Sequence, residues 1–236
     1  MSEAQRLRAL ARLAADEVRP GMTLGLGTGS TAEAVIRELG ARVAAGLCVR
    51  GVATSSRTEL LARQFNIEVV DFDDVTQLDL GIDGADEVDP QLDLVKGHGG
   101  ALLREKLVAL ACRDYLIVAA ADKRVIQLGS RKAIPVEVVP FGWHQTSQRL
   151  ARLGGQPVLR LAKADGAEVD RRGEPFVSDG GHYVLDCETG AVSDVVGLAE
   201  AIKLTPGVVD HGMFLGLAKR VILAETDGSI TWLRRS

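Results

Sequence analysis

The chain has 236 residues, 46% hydrophobic and 25% charged, a globular composition that excludes an intrinsically disordered polymer. Its 28 Lys+Arg against 32 Asp+Glu leave a net charge of −4, without the basic excess that a nucleic-acid binder carries. The longest uncharged stretch, residues 20–32, is too short and too rich in Gly and Thr to span a bilayer, and Arg12 and Asp16 interrupt the first apolar run where a secretory signal needs continuity.

Leu7, Leu10, Ala11, Ala14 and Val18 recur at helical spacing and predict a helix over residues 3–18, ended by Pro20-Gly21. Residues 22–26 read as a strand, Gly27-Thr-Gly-Ser-Thr31 as a glycine–hydroxyl loop, and Ala32, Val35, Ile36 and Leu39 as one face of a second helix. A strand at 48–53 leads into Thr54-Ser55-Ser56, an N-cap cluster for a helix reaching Gln64. Strands follow at 67–70 and 78–82, the second running into Asp83-Gly-Ala-Asp86. A helix over 101–113 and a strongly apolar strand over 115–121 complete this block. Alternating strands and helices predict a parallel sheet covered on both faces.

The texture changes near residue 132. Strand 136–139, helix 145–153, strand 158–161, a polar glycine-rich hairpin, strand 183–187, helix 195–204 and strand 208–214 follow the β-α-β-β-α-β order of ferredoxin-like units. Residues 221–224 and 230–233, around Asp227-Gly228, read as a terminal hairpin returning to the first sheet. The fold class is therefore α/β. A Rossmann-like parallel-sheet domain (1–131 and 216–236) carries an inserted, smaller ferredoxin-like α+β domain (132–215).

Five segments carry candidate chemistry. In the 27–31 loop, glycines and the following helix N-terminus suit an anion, with Thr28, Gly29, Ser30 and Thr31 as donors; the alternative is a tight turn capped by Ser30. It lacks the Gly-Lys of a Walker loop and the third glycine of a dinucleotide fingerprint. Asp83, Gly84, Ala85 and Asp86 stand at a strand C-terminus, where open α/β sheets bind ligands. Residues 64–95 hold ten acidic side chains and no Lys or Arg, so most of these acids are expected to form a solvated face, Asp83 and Asp86 being set apart by position. Two carboxylates three apart suit general acid/base work or a hard metal, the alternative being a turn in which they bond their own backbone; a phosphate would be repelled here, so sugar hydroxyls suit them better. Lys96-Gly-His-Gly-Gly100 breaks the acidic run with a cation in a bending backbone. Lys96 suits a developing oxyanion, the alternative being a flexible loop with a solvated lysine, and His98 has no second metal ligand at recognisable spacing.

Glu105 falls in line with Ala101, Leu102, Val108, Ala109 and Cys112, and the opposite stripe (Leu103, Leu107, Leu110, Ala111) is apolar too. A helix apolar nearly all round is expected to be buried, which desolvates Glu105 and raises its pKa as a general base needs; the alternative is an exposed Arg104-Glu105-Lys106 turn. Asp122-Lys123 follows the apolar strand, and Lys123 suits either a phosphate or a surface turn.

Taken together, these segments resemble the type A ribose-5-phosphate isomerases. The match runs through Gly27-Thr-Gly-Ser-Thr31, Ile82-Asp-Gly-Ala-Asp-Glu87, Lys96-Gly, Arg104-Glu-Lys106, Ala121-Asp-Lys123 and Pro135-Val-Glu-Val138. The resemblance implies interconversion of D-ribose 5-phosphate and D-ribulose 5-phosphate in the pentose phosphate pathway, in the cytoplasm, by a homodimer or homotetramer. It implies no metal or organic cofactor, no nucleic acid and no membrane. Glu105 would be the base, with Asp83, Asp86 and Lys96 around the reacting carbons. Thr28, Gly29, Ser30, Thr31, Gly84, Ala85, Gly97, His98, Gly99 and Lys123 would bind substrate. Two departures stand out: His98 interrupts a glycine run often unbroken in the family, and Ser178-Asp-Gly-Gly181 lacks an asparagine often found there. Competing readings are a deaminase, lactonase or CoA-transferase on a related fold, and a sugar-phosphate sensor that binds without turnover.

Overall fold

A computed structural model describes residues 2–162 and 173–235; the first part of the predicted hairpin between 164 and 183, up to residue 172, lies outside the described residues. The first block runs α1 (Glu3–Asp16), β1 (Thr23–Leu26), α2 (Ser30–Ala44), β2 (Arg50–Ala53), α3 (Ser56–Gln64), β3 (Glu68–Val69), β4 (Leu78–Asp83), β5 (Glu87–Val88), β6 (Leu94–Val95), α4 (Leu102–Ala111) and β7 (Cys112–Ala120). The second runs β8 (Ile134–Val138), α5 (Trp143–Ala151), β9 (Gln156–Leu159), β10 (Tyr183–Glu188), α6 (Val195–Lys203) and β11 (Val208–His211). The chain closes with β12 (Met213–Phe214), β13 (Arg220–Ala224) and β14 (Ile230–Arg234).

The large sheet has the order β14-β13-β7-β4-β1-β2-β3, parallel throughout except for the antiparallel edge strand β14. Strand β7 shows why it is apolar without a break. Leu116 and Val118 pack with α1 and α2 residues Leu10, Ala14, Val35 and Ile36 on one face. Tyr115, Ile117 and Ala119 point the opposite way, onto Ala109 and Phe214. Successive side chains leave a strand on opposite faces, and both faces are covered.

The second block forms a four-stranded antiparallel sheet, β11-β8-β10-β9, with α5 and α6 packed on a shared apolar cluster that includes Ile134, Val136, Leu150, Leu185 and Ile202. Its element order is the predicted β-α-β-β-α-β. The expected single strand over 208–214 is instead two. Beyond His211 the chain changes sheet, and β12 joins β6 and β5 in a three-stranded sheet. Gly212 is the crossing point: a Cβ there would lie 2.1 Å from the Lys96 carbonyl oxygen.

One expectation fails and another holds only in part. Helix α4 is not buried all round, since Leu107 is 46% and Leu110 63% exposed; only the Leu102–Glu105–Val108–Ala109 side faces the core. The acidic run is a solvated face at Glu68, Asp71, Asp73 and Asp74 and half-buried at Asp79 and Asp93, but Glu87 and Asp89 depart from the expectation and are buried. Glu87, fully enclosed, accepts backbone N–H bonds from Gly129, Arg131 and Lys132 at 2.6–2.9 Å and so fixes the loop leading into β8.

Candidate active site

The site forms where the loops after β1 and β4 diverge. From β1 the sheet order proceeds to β2 on one side and to β4 on the other, a topological switch point. Leu26 ends β1 beside Ile82 of β4, so the 27–31 and 83–86 loops leave neighbouring strand ends. Helix α4 brings Glu105 to the same place because the sheet is thin beneath it. A Cβ on Gly25 would meet Val108 Cγ1 at 2.7 Å, and one on Gly81 would meet Cys112 Sγ at 2.6 Å.

A cavity of about 140 Å³ opens there, with room for a small polar molecule and not for a dinucleotide. Thr28, Gly29, Ser30 and Thr31 form one wall, Gly84, Ala85 and Asp86 a second, and Lys96, Gly97 and Gly99 a third; Glu105 and Lys123 complete it. Every lining residue is one that the sequence singles out. A larger hollow of about 840 Å³ lies elsewhere, between the 124–131 segment and β14, lined by Leu92, Val125, Ile126, Trp232 and arginines rather than by a paired base and cation.

The anion wall is the start of α2. Gly29 precedes it with φ +109°, and no side chain caps the helix, so its first amides and partial positive charge are presented to the cavity. The Thr28 hydroxyl does not serve as a cavity donor. It is drawn into a cluster with Thr54 (2.7 Å), Ser55 (2.8 Å) and Thr58 (3.1 Å), and Thr58 donates onward to the Gly27 carbonyl. Lys123, half-buried in the short turn after β7, faces no carboxylate among the described residues and adds positive charge to the wall.

The opposite end holds the ionisable cluster. The Lys96 ammonium lies 3.0 Å from Asp83 Oδ2, donates to the Gly84 carbonyl at 2.7 Å, and lies 3.3 Å from Glu105 Oε2. The last contact attracts by charge but is not aligned as a hydrogen bond, and Glu105 Oε2 is buried with no donor. Burial pushes the Glu105 carboxyl above the usual carboxylate range; Lys96 opposes that rise, and Asp83 and Asp86 add to it. For Lys96, burial favours the neutral amine, but the carboxylates of Asp83, Glu105 and Asp86 outweigh it and hold the ammonium charged. The result is a carboxylate poised as a base beside a permanently charged electrophile.

Two of the expected site residues stand elsewhere. Asp83 is 1% exposed and lies beneath the cavity, not on its wall. Its Oδ1 accepts N–H bonds from Thr28 and Gly84 and its Oδ2 accepts from Tyr115 Oη, besides pairing with Lys96. It therefore anchors the anion loop to the lysine and has no oxygen left for a ligand. His98 turns outward: its N–H donates to Asp86 Oδ2 at 3.1 Å, and its ring contacts the Ala133 carbonyl. That amide is spent on Asp86, which leaves Gly97 and Gly99 as the lining members of the loop. Sequence reasoning missed Arg160, just beyond β9, which donates to the Gly97 carbonyl at 2.8 Å while paired with Asp186, and so holds the lysine loop from the second sheet. Among the described residues no group of three or more His, Cys, Asp or Glu side chains is disposed to hold a metal.

An α/β enzyme site with an anion-binding helix terminus, a buried base and a buried cation is the class these features define. The sequence profile of the ribose 5-phosphate isomerase A (phosphoriboisomerase A) family matches residues 50–228, and this chain belongs to that family. It is 48% identical over 225 residues to the ribose-5-phosphate isomerase A of Roseiflexus castenholzii, covering 94% of this chain and 93% of that one. The Thermomicrobium roseum protein of the same name is 49% identical over 227 residues, covering 96% and 92%. Among solved structures, the ribose 5-phosphate isomerase A of Methanocaldococcus jannaschii superposes with a TM-score of 0.90 at 34% identity, covering 99% of this chain and 100% of that one. A D-ribose-5-phosphate isomerase in complex with phospho-erythronic acid does so with a TM-score of 0.92 at 30% identity over the full length of both.

Proposed function

We propose that this chain interconverts D-ribose 5-phosphate and D-ribulose 5-phosphate through an ene-diolate, with Glu105 as the base. The observation that carries the mechanism is the buried, donor-free Glu105 oxygen 3.3 Å from the Lys96 ammonium. In the open-chain aldose Glu105 takes the proton from C2, the C1=C2 bond forms, and charge moves onto O1. Lys96 has two fixed partners, Asp83 and Gly84, and its remaining N–H meets that oxyanion. O1 then gains a proton, O2–H loses one as C2=O forms, and Glu105 returns its proton to C1. Asp86, on the cavity wall, is the group for the oxygen-to-oxygen transfer. The phosphate sits on the α2 N-terminus with Ser30, Thr31 and Lys123.

The relative's ligand supports this order, because phospho-erythronic acid joins a phosphate to a planar carboxylate whose two oxygens resemble those of an ene-diolate. A sensor would need no desolvated base, so the Glu105 environment favours catalysis over the sensing reading. The division into domains 1–131 with 216–236 and 132–215 is supported by the separate antiparallel sheet. A homodimer or homotetramer, working in the cytoplasm, rests on the family resemblance.

The test is to incubate the protein with ribose 5-phosphate in D₂O and follow ketose formation. Ribulose 5-phosphate carrying deuterium at C1 supports the ene-diolate. Ketose without solvent deuterium points to a hydride shift or a fully shielded proton, and binding without turnover establishes a sensor. Activity is expected to persist after exhaustive EDTA treatment.

A further inference from the structure

The Ser178-Asp-Gly-Gly181 turn bridges β8 of the second sheet to helices α3 and α4 and does not line the cavity. It is pinned from behind by buried Glu137 on β8, whose Oε1 accepts from Ser178 Oγ at 2.7 Å and contacts His182 Nδ1 at 2.9 Å. The turn is closed on itself by Gly180 and His182 N–H groups donating to Ser178 Oγ. Its outward residue, Asp179, is thereby held in one place.

Asp179 reaches across to the large sheet's helices. Its Oδ2 accepts the Ser56 N–H at 2.9 Å and its Oδ1 the Ser56 hydroxyl at 3.1 Å, at the first turn of α3. Arg104 of α4 donates to the Asp179 carbonyl at 3.2 Å, and its other guanidinium nitrogen lies 3.6 Å from Oδ2. Each of these partners adjoins one end of the cavity. Ser56 follows Ser55, whose hydroxyl accepts from Thr28 and donates to Thr58, the pair that buttresses the anion loop. Arg104 precedes Glu105 on the same helix. Nearby, Phe176 packs onto Gly100 so closely that a Cβ there would lie 2.3 Å from the ring, which seats the lysine loop under the same turn.

We propose that Asp179 is a positioning residue that joins the anion loop's buttress at α3 to the base-bearing helix α4, so that one side chain from the second sheet sets the distance between the two ends of the site. It touches no reacting atom. This rests on the isomerase reading above. Because Asp179 is about one-third exposed, its worth to global stability is small, whereas misplacing reacting groups by an ångström costs up to about 100-fold in rate.

The experiment compares wild type, Asp179→Ala and Asp179→Asn for kcat and KM with ribose 5-phosphate, for competitive inhibition by inorganic phosphate, and for Tm. Wild-type turnover tests the isomerase reading separately. The alanine variant is expected to lose about tenfold in kcat, from the α4 end, and to bind inorganic phosphate several-fold more weakly, from the α3 end, with Tm within a few degrees of wild type. Asparagine keeps an acceptor for the Ser56 N–H but loses the charge facing Arg104, so phosphate inhibition is expected to recover while kcat stays depressed. Kinetics unchanged in both variants overturn the proposal. So does a loss of activity in both that matches the unfolded fraction and vanishes at low temperature.

Discussion

The Lys96 ammonium and the Glu105 carboxylate stand 3.3 Å apart with each side chain 3% exposed, and the pair is not satisfied by its own contact. Asp83 supplies the second carboxylate that keeps the lysine charged. A pair built only for stability would be aligned; here the base keeps an open oxygen and the lysine an open N–H.

Lys96→Met therefore acts on rate, pH profile and stability together. Loss of an oxyanion donor of this kind costs about 10²–10³ in kcat. Asp83 is left buried without its cation, a loss of about 3–5 kcal/mol. Glu105 works as the carboxylate, so activity rises with pH through its pKa. Burial raises that pKa and Lys96 lowers it, so the acid limb of kcat/KM is expected to move to higher pH in the variant. An acid limb that stays in place separates Lys96 from the base.

The anion wall predicts a binding effect. Ser30→Asp puts a negative charge at the first residue of α2, and KM for ribose 5-phosphate is expected to rise until saturation is lost. Inorganic phosphate, a competitive inhibitor of the wild type in this reading, is expected to lose its effect in parallel. An unchanged KM moves the phosphate towards Lys123.

The close seating of α4 predicts a packing effect away from the cavity. In Gly81→Ala the new methyl would meet Cys112 Sγ at 2.6 Å and the Tyr115 ring at 2.8 Å. Overpacking of this kind costs about 1–3 kcal/mol, read as a lower Tm or denaturant midpoint. Because Glu105 rides on the displaced helix, kcat is expected to fall more than KM rises.

The sequence made the two motif loops and the apolar strands legible because each has a local signature: glycine before a helix N-terminus, or a β-branched run bounded by turns. It could not show the two-residue strands β5 and β6, which are too short to carry a pattern and whose sheet is completed by β12, paired to β6 from more than a hundred residues away. Asp83 and Asp86 look alike in sequence. Only the inward aim of the last residue of β4 separates the anchor from the cavity wall. The apolar outer stripe of α4 suggested all-round burial, yet Glu105 is buried for another reason, the missing side chains of Gly25 and Gly81 beneath it. Arg160 and Asp179 carry no local signal, because what they hold lies in another part of the chain.

Next to the base, Lys106 donates to Asp210 and to the His211 carbonyl, with Lys203 on the other Asp210 oxygen. Burial pushes the Asp210 carboxyl up, but the two lysines outweigh it and hold it down at about 2. A carboxyl depressed on folding adds stability above its ordinary range, and that stability is lost as pH falls towards 2. Asp210→Asn is therefore expected to be less stable than wild type at neutral pH, with the difference shrinking below about pH 4. A difference independent of pH in denaturation curves would contradict the assignment.

The most direct test of the account is the turnover of Glu105→Gln, which keeps the shape of the side chain and removes its basicity. The account predicts a fall in kcat of at least about 10²–10⁴ with KM little changed and the circular dichroism spectrum intact. Near-normal turnover in a folded variant would contradict Glu105 as the group that moves the proton between C1 and C2.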